Sequence, residues 1–135
     1  NVRVTSHTQD MAPIYARCKV LLAPSLCWEG FGRVVVEAQS NGIPVIATNR
    51  GGLPEAVGDG GLILDLPADC YDPPYLQAPN ERAQRWLLNR VLSVWDDADR
   101  YRDLSDRARA NAEALGIERS TQRLEQALSG QLPDA

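Results

Sequence analysis

The spacing of apolar and polar positions changes several times along this chain, and each change marks an element. Residues 2–5 (Val-Arg-Val-Thr) alternate and predict a short strand, whereas residues 10–16 place Met11, Ile14 and Tyr15 at helical spacing. Val20-Leu-Leu-Ala23 is an unbroken apolar run stopped by Pro24, as expected of a strand buried on both faces in a parallel sheet. Val34-Val-Val36 is β-branched, but it lies between Gly32 and an Asn41-Gly42 stop, which predicts a buried helix over residues 33–40. Residues 44–48 form the next strand, 54–57 a short helix, and 61–64 a further strand. Strands alternating with helices in this way argue for an α/β fold, a Rossmann-like parallel sheet with flanking helices.

The second half reads differently. Pro67, Pro73 and Pro74 break any regular element across residues 65–78, and Pro79 suits the first turn of a helix. Leu87, Leu88, Val91, Leu92 and Trp95 then form one apolar stripe. Tyr101, Leu104, Ala108 and Leu115 form a second, and Ile117, Thr121, Leu124 and Leu128 a third. Trp86 and Trp95 read as packing residues rather than sugar platforms, because aromatics dominate core burial. The organisation is therefore an α/β unit over 1–66, a Pro-rich loop over 67–79 and helices over 80–130.

Composition narrows the choice of function. The chain has 135 residues, enough for one domain, with 44% hydrophobic content and a net charge of −4 that gives no sign of a nucleic-acid face. No apolar run approaches the roughly 20 residues of a membrane span, and no signal peptide is visible. Cys18, Cys27 and Cys70 form no CxxC pair and suit a reducing, cytoplasmic setting. His7 is the lone histidine and lies in a polar stretch, where a solvated role is expected.

The chemistry concentrates in Glu29-Gly-Phe-Gly-Arg-Val-Val-Val-Glu37, where seven residues separate two carboxylates. Gly30 and Gly32 allow a tight turn and close approach to a ligand. The helix that follows points unpaired N–H groups and its positive dipole end at the loop, which makes an anion site suited to phosphate. A carboxylate repels phosphate, so Glu29 and Glu37 read either as solvated acids at favourable helix and surface positions or as acceptors for hydroxyls, a sugar for the first and a ribose for the second. Loops after parallel strands converge on one crevice. Gly51-Gly52, after the second buried strand, is either an ordinary turn or part of the same crevice.

Pro24-Ser25, Glu29-Gly-Phe-Gly32, Glu37-Ala38, Gly42-Ile-Pro-Val-Ile-Ala47, Gly51-Gly-Leu-Pro-Glu55 and Gly60-Gly61 appear in that order. Together they resemble the C-terminal, donor-binding half of a family 4 glycosyltransferase of GT-B architecture, over residues 11–66 with a looser helical tail. The resemblance implies retaining transfer from a nucleotide-diphosphate sugar, with no bound metal and no other cofactor. It puts Glu29 under the donor sugar as the catalytic-site acid and Glu37 on the ribose. The diphosphate falls to Gly30, Phe31, Gly32 and the Arg33 backbone, and Gly51 and Gly52 complete the donor site. The family's catalytic histidine belongs to an N-terminal, acceptor-binding domain, so His7 does not inherit that role. Its upstream basic pair has no counterpart here, leaving Arg33 and Arg50 as the nearest cations. Lys19 stands where an acidic residue is common.

The expected partners are thus a nucleotide sugar and an N-terminal acceptor domain, and a truncated domain of this kind is expected to be inactive alone. The alternative is a non-catalytic nucleotide-binding or interaction module of α/β fold. A receiver would need an acidic cluster after its first strand, and a flavodoxin-like protein a phosphate loop there; residues 2–8 offer neither. A complete domain of the resembled type has about six strands and the pattern supplies roughly four. The strand at 2–5 is then an open edge, and self-association is expected through it or through exchange of the C-terminal helices.

Overall fold

The computed structural model of the protein describes residues 2–130. Its centre is a three-stranded, wholly parallel sheet in the order β1 (Leu21–Ala23), β2 (Val45–Thr48), β3 (Gly61–Leu64). Leu21 pairs with Val45, and Ile46 with Leu62, so the strands run in step and all end on the same side. Each residue of β2 is buried, as the continuous apolar run requires of a central parallel strand.

Successive side chains of β2 feed opposite layers. Val45 and Ala47 join Tyr15, Ala23, Val35, Ala38, Leu53, Ala56 and Val57 on the face covered by α1 (Ala12–Tyr15), α2 (Arg33–Ser40) and α3 (Leu53–Val57). Ile46 joins Leu64, Val94 and Leu104 beneath α4 (Glu81–Trp95) and α5 (Ala98–Ala114). This three-layer arrangement is the α/β fold read from the periodicity. The helix over 33–40 and the strand over 61–64 fall where the pattern put them.

α5 also crosses the N-terminal ends of the strands. Ser105 Oγ donates to the Gly42 carbonyl at 2.6 Å, just ahead of β2. Asn111 Nδ2 donates to Gln39 Oε1 at 2.7 Å and to the Ala56 carbonyl at 2.9 Å. Gln39, fully buried, in turn donates to the Val57 carbonyl at 2.8 Å. These amides, Gln39 buried and Asn111 half-buried, tie α2, α3 and α5 together, and no buried side-chain nitrogen or oxygen among the described residues lacks a partner. The exposed ion pairs along α4 and α5, such as Arg85–Glu81 and Arg107–Asp103, are worth only about 0.3–0.5 kcal/mol each. The core and this amide network therefore hold the helices.

Several expectations need correction. Residues 2–5 are not a strand: Val2 and Val4 are 93% and 91% exposed, and no neighbouring strand completes a ladder for them among the described residues. The sheet accordingly has three strands rather than four, and its edges are β1 and β3. Pro79 lies outside α4, whose cap is Asn80, its side chain accepting from the Ala83 N–H at 3.0 Å. The buried face of α4 is rotated from the expected stripe. Val94 is fully buried with Leu87 and Val91 beside it, whereas Leu88, Leu92 and Trp95 are exposed. A run rich in leucine permits more than one stripe, and contact with Ile46 and Leu64 selects this one. Residues 65–78 are not wholly irregular, because Ala68–Tyr71 makes a turn of 3-10 helix that buries Cys70. The stripe of α6 (Ile117–Leu128) is open rather than packed: Ile117 is 82% and Leu128 80% exposed.

Lys19 acquires a role that spacing did not disclose. Its ammonium donates to the Trp95 carbonyl at 2.7 Å and lies 4.8 Å above the Trp95 ring and 5.4 Å above that of Tyr101. It fastens the end of α4 and the start of α5 to the entry of β1, with the cation against aromatic faces.

Candidate functional site

Because the strands are parallel, the loops after Ala23, Thr48 and Leu64 leave from the same end of the sheet. The first two loops are in backbone contact. The Gly52 N–H donates to the Glu29 carbonyl at 2.9 Å, and a Cβ at Gly51 would collide with that same carbonyl, at a φ of 60° that L side chains rarely adopt. A Cβ at Gly52 would strike the Gly30 carbonyl. Loop-on-loop packing therefore requires glycine at both positions.

Thr48 Oγ1 donates to the Ser25 carbonyl at 2.6 Å, joining the end of β2 to the loop after β1. Asn49 Nδ2 donates to Asp65 Oδ1 at 2.8 Å and reaches the third loop. Arg50 binds all three: its Nε donates to the Leu26 carbonyl at 3.2 Å, and its guanidinium lies 5.1 Å from both the Trp28 and Tyr71 ring centres. Tyr71 OH accepts from the Leu66 N–H at 3.3 Å. Arg50 is thus a strut between loops, with Trp28 74% exposed on one side. Its charge stays at this end of the sheet, although its side chain does not point free into solvent.

Gly32 enters α2 with φ 81°, a left-handed turn that glycine adopts without strain, and gives the helix no side-chain cap. The Val35 N–H is taken by the Gly32 carbonyl at 2.9 Å, so the N–H groups of Arg33 and Val34 are the ones of the first turn left open at the Gly30–Gly32 loop. Gly30 has open space where a side chain would be, Phe31 is 39% exposed, and Glu29 is half-buried at the loop edge. The Arg33 side chain is solvated, 89% exposed, with one guanidinium nitrogen 3.9 Å from Glu37 Oε1. Glu37 is on the second turn of α2, and its other oxygen, Oε2, accepts from the Tyr15 hydroxyl at 2.9 Å. Burial first, and then the hydrogen bond and negative charge of Glu37, push the Tyr15 hydroxyl up to about 12.

The structure brings Glu29, Gly30, Phe31 and Gly32 together with Gly51 and Gly52, and carries Glu37 on the helix that leaves the same loop. A recess of about 340 Å³ lies between the loop after β3 and the start of α4, lined by Asp65, Pro67, Asn80, Arg82 and Trp86 and by none of the residues of this cluster. Trp86 is partly buried against the core, and Trp95 supports Lys19, so both do structural work. His7 is exposed, away from any element. Among the described residues, no group of three His, Cys, Asp or Glu side chains is gathered to hold a metal ion, and no helix is long and apolar enough to cross a membrane. Sequence reasoning missed Tyr15, Trp28 and Tyr71. The only available signal was that a buried tyrosine hydroxyl must find a partner.

Comparison with known proteins identifies the family and supports the fold. The family model described as Glycosyl transferases group 1 matches residues 1–72. The O-antigen chain mannosyltransferase B of Escherichia coli is 44% identical over 57 residues, covering 42% of this chain and 15% of that protein. The D-inositol 3-phosphate glycosyltransferase of Paenarthrobacter aurescens is 31% identical over 115 residues, covering 82% of this chain and 24% of that protein. Anabaena HepE, solved in complex with UDP, superposes with a TM-score of 0.67 at 26% identity, covering 91% of this chain and 30% of its own. The chain thus spans 15% and 24% of the length of these two curated relatives.

Proposed function

Since the chain belongs to the group 1 glycosyl transferases, we propose that it provides the donor side of a retaining sugar transfer from a nucleotide-diphosphate sugar. The observation that carries this reading is the uncapped start of α2, framed by Glu29 and Glu37 and braced by the Gly51-Gly52 loop. Supporting it, HepE has been solved with UDP and with UDP-glucose, and those structures align with 91% and 87% of this chain.

In this reading the amides of Gly30, Phe31, Gly32 and Arg33 receive the diphosphate. Charge grows on that leaving group as the glycosidic bond breaks, and preorganised donors facing it lower the barrier. Glu37 accepts hydrogen bonds from the ribose hydroxyls, and charge on the acceptor strengthens them. Glu29 faces the donor sugar and fixes its position. Arg50 adds positive charge beside the loops. No metal and no further cofactor enter the scheme. The acceptor is held by a separate domain, the reaction belongs to the cytoplasmic side, and this chain alone does not turn over.

Calorimetric titration with UDP, GDP and ADP tests the reading and identifies the base. One nucleotide should bind, and Glu37→Ala should weaken it by about tenfold, the loss of a charge-assisted hydrogen bond. Equal affinity in wild type and Glu37→Ala would remove Glu37 from the ribose site. Absence of binding by any of the three would favour a non-catalytic interaction module.

A further inference from the structure

We propose that Tyr15 is a positioning residue for nucleotide recognition: its hydroxyl pins one oxygen of Glu37 so that the other is presented to the ribose. The inference rests on the donor-site reading of Glu37 given above. Glu37 is exposed on α2, where a glutamate ordinarily samples many rotamers. Here Oε2 is held at 2.9 Å by a hydroxyl whose ring is only 8% exposed and packed in the core beside Val35 and Ala38. The donor belongs to a different element, 22 residues earlier, so it does not move with α2's own side chains.

The second contact is much looser. Arg33 approaches Oε1 only to 3.9 Å, and its side chain is 89% exposed. A ribose hydroxyl arriving at Oε1 displaces little there. Oε2 stays occupied by the Tyr15 hydroxyl, which like any phenol keeps its proton throughout the neutral range. The carboxylate is thereby presented in one orientation before the nucleotide arrives, which favours binding by reducing what must be ordered.

The test uses the nucleotide that binds tightest among UDP, GDP and ADP, together with its 2′,3′-dideoxyribose counterpart. Wild type should prefer the ribonucleotide, and Tyr15→Phe should lose most of that preference, about five- to tenfold, as Glu37→Ala does. Affinity for the dideoxy compound should not change in Tyr15→Phe, whereas a general loosening of the fold would weaken both ligands alike. In the Glu37→Ala background Tyr15→Phe should have no further effect, the mark of two residues acting as one unit. If Tyr15→Phe keeps the full ribose preference while Glu37→Ala loses it, the positioning role is overturned and the donor site stands. If wild type shows no ribose preference, both fall together. Glu37→Asp, which withdraws the carboxylate from Tyr15 with the core intact, covers a folding defect in Tyr15→Phe: retained preference there also overturns the proposal.

Discussion

Burial takes the Tyr15 ring out of water and Glu37 holds its proton, so the hydroxyl titrates at about 12 rather than its ordinary 10.0. An acid whose folded pKa is raised contributes stability that is complete below the unfolded pKa and is lost as pH rises through the folded one. The wild-type melting temperature should therefore fall between about pH 10 and pH 12, and Tyr15→Phe should show a shallower fall over that window. Parallel thermal melts would decide it, and identical slopes would mean that Tyr15 does not couple to folding. At this scale the candidate site was half legible. Glu29 and Glu37 stand out because their signal is local: a glycine turn and the helix it opens. Tyr15 and Trp28 act through partners 22 residues away or more, on Glu37 and Arg50, and no periodicity encodes such contacts.

Among elements, α5 does more than cover the sheet. Its Asn111 supplies one amide to Gln39 and to the Ala56 and Val57 carbonyls. Removing it leaves Gln39 Oε1 without that donor, a loss of about 1–3 kcal/mol. Asn111→Ala should lower the urea midpoint accordingly, whereas Arg107→Ala, which removes an exposed ion pair, should change stability by less than about 0.5 kcal/mol. Equal effects would show that the amide network is not a principal tie. The parallel strands and α2 were legible because burial on both faces leaves an unbroken apolar run and glycine marks the helix ends. The strand expected at residues 2–5 failed because alternation over so few positions specifies a strand only when a neighbour pairs with it. The face of α4 failed for a related reason: the stripe was present, but the partner layer chose its rotation.

For the whole molecule, the loops proposed to receive the donor are joined to one another, and the proposed scheme leaves the acceptor to a separate domain. Holding two reactants in line contributes a large share of a transferase's rate. A radiolabelled nucleotide-sugar assay on the purified chain should accordingly show no transfer above background, and measurable turnover would overturn the division of labour proposed. α6 leaves Ile117, Leu124 and Leu128 exposed along one side, and Leu22 on the edge strand β1 is 48% exposed. These surfaces, rather than residues 2–5, are where self-association would start. The strut formed by Arg50 between Trp28 and Tyr71, with the Gly52 amide already bonded to Glu29, has a kinetic consequence. If these loops receive a nucleotide as proposed, they would need no folding step on encounter, and its capture rate would be set by diffusion and orientation. Differences among nucleotides would then be written in how long each one stays.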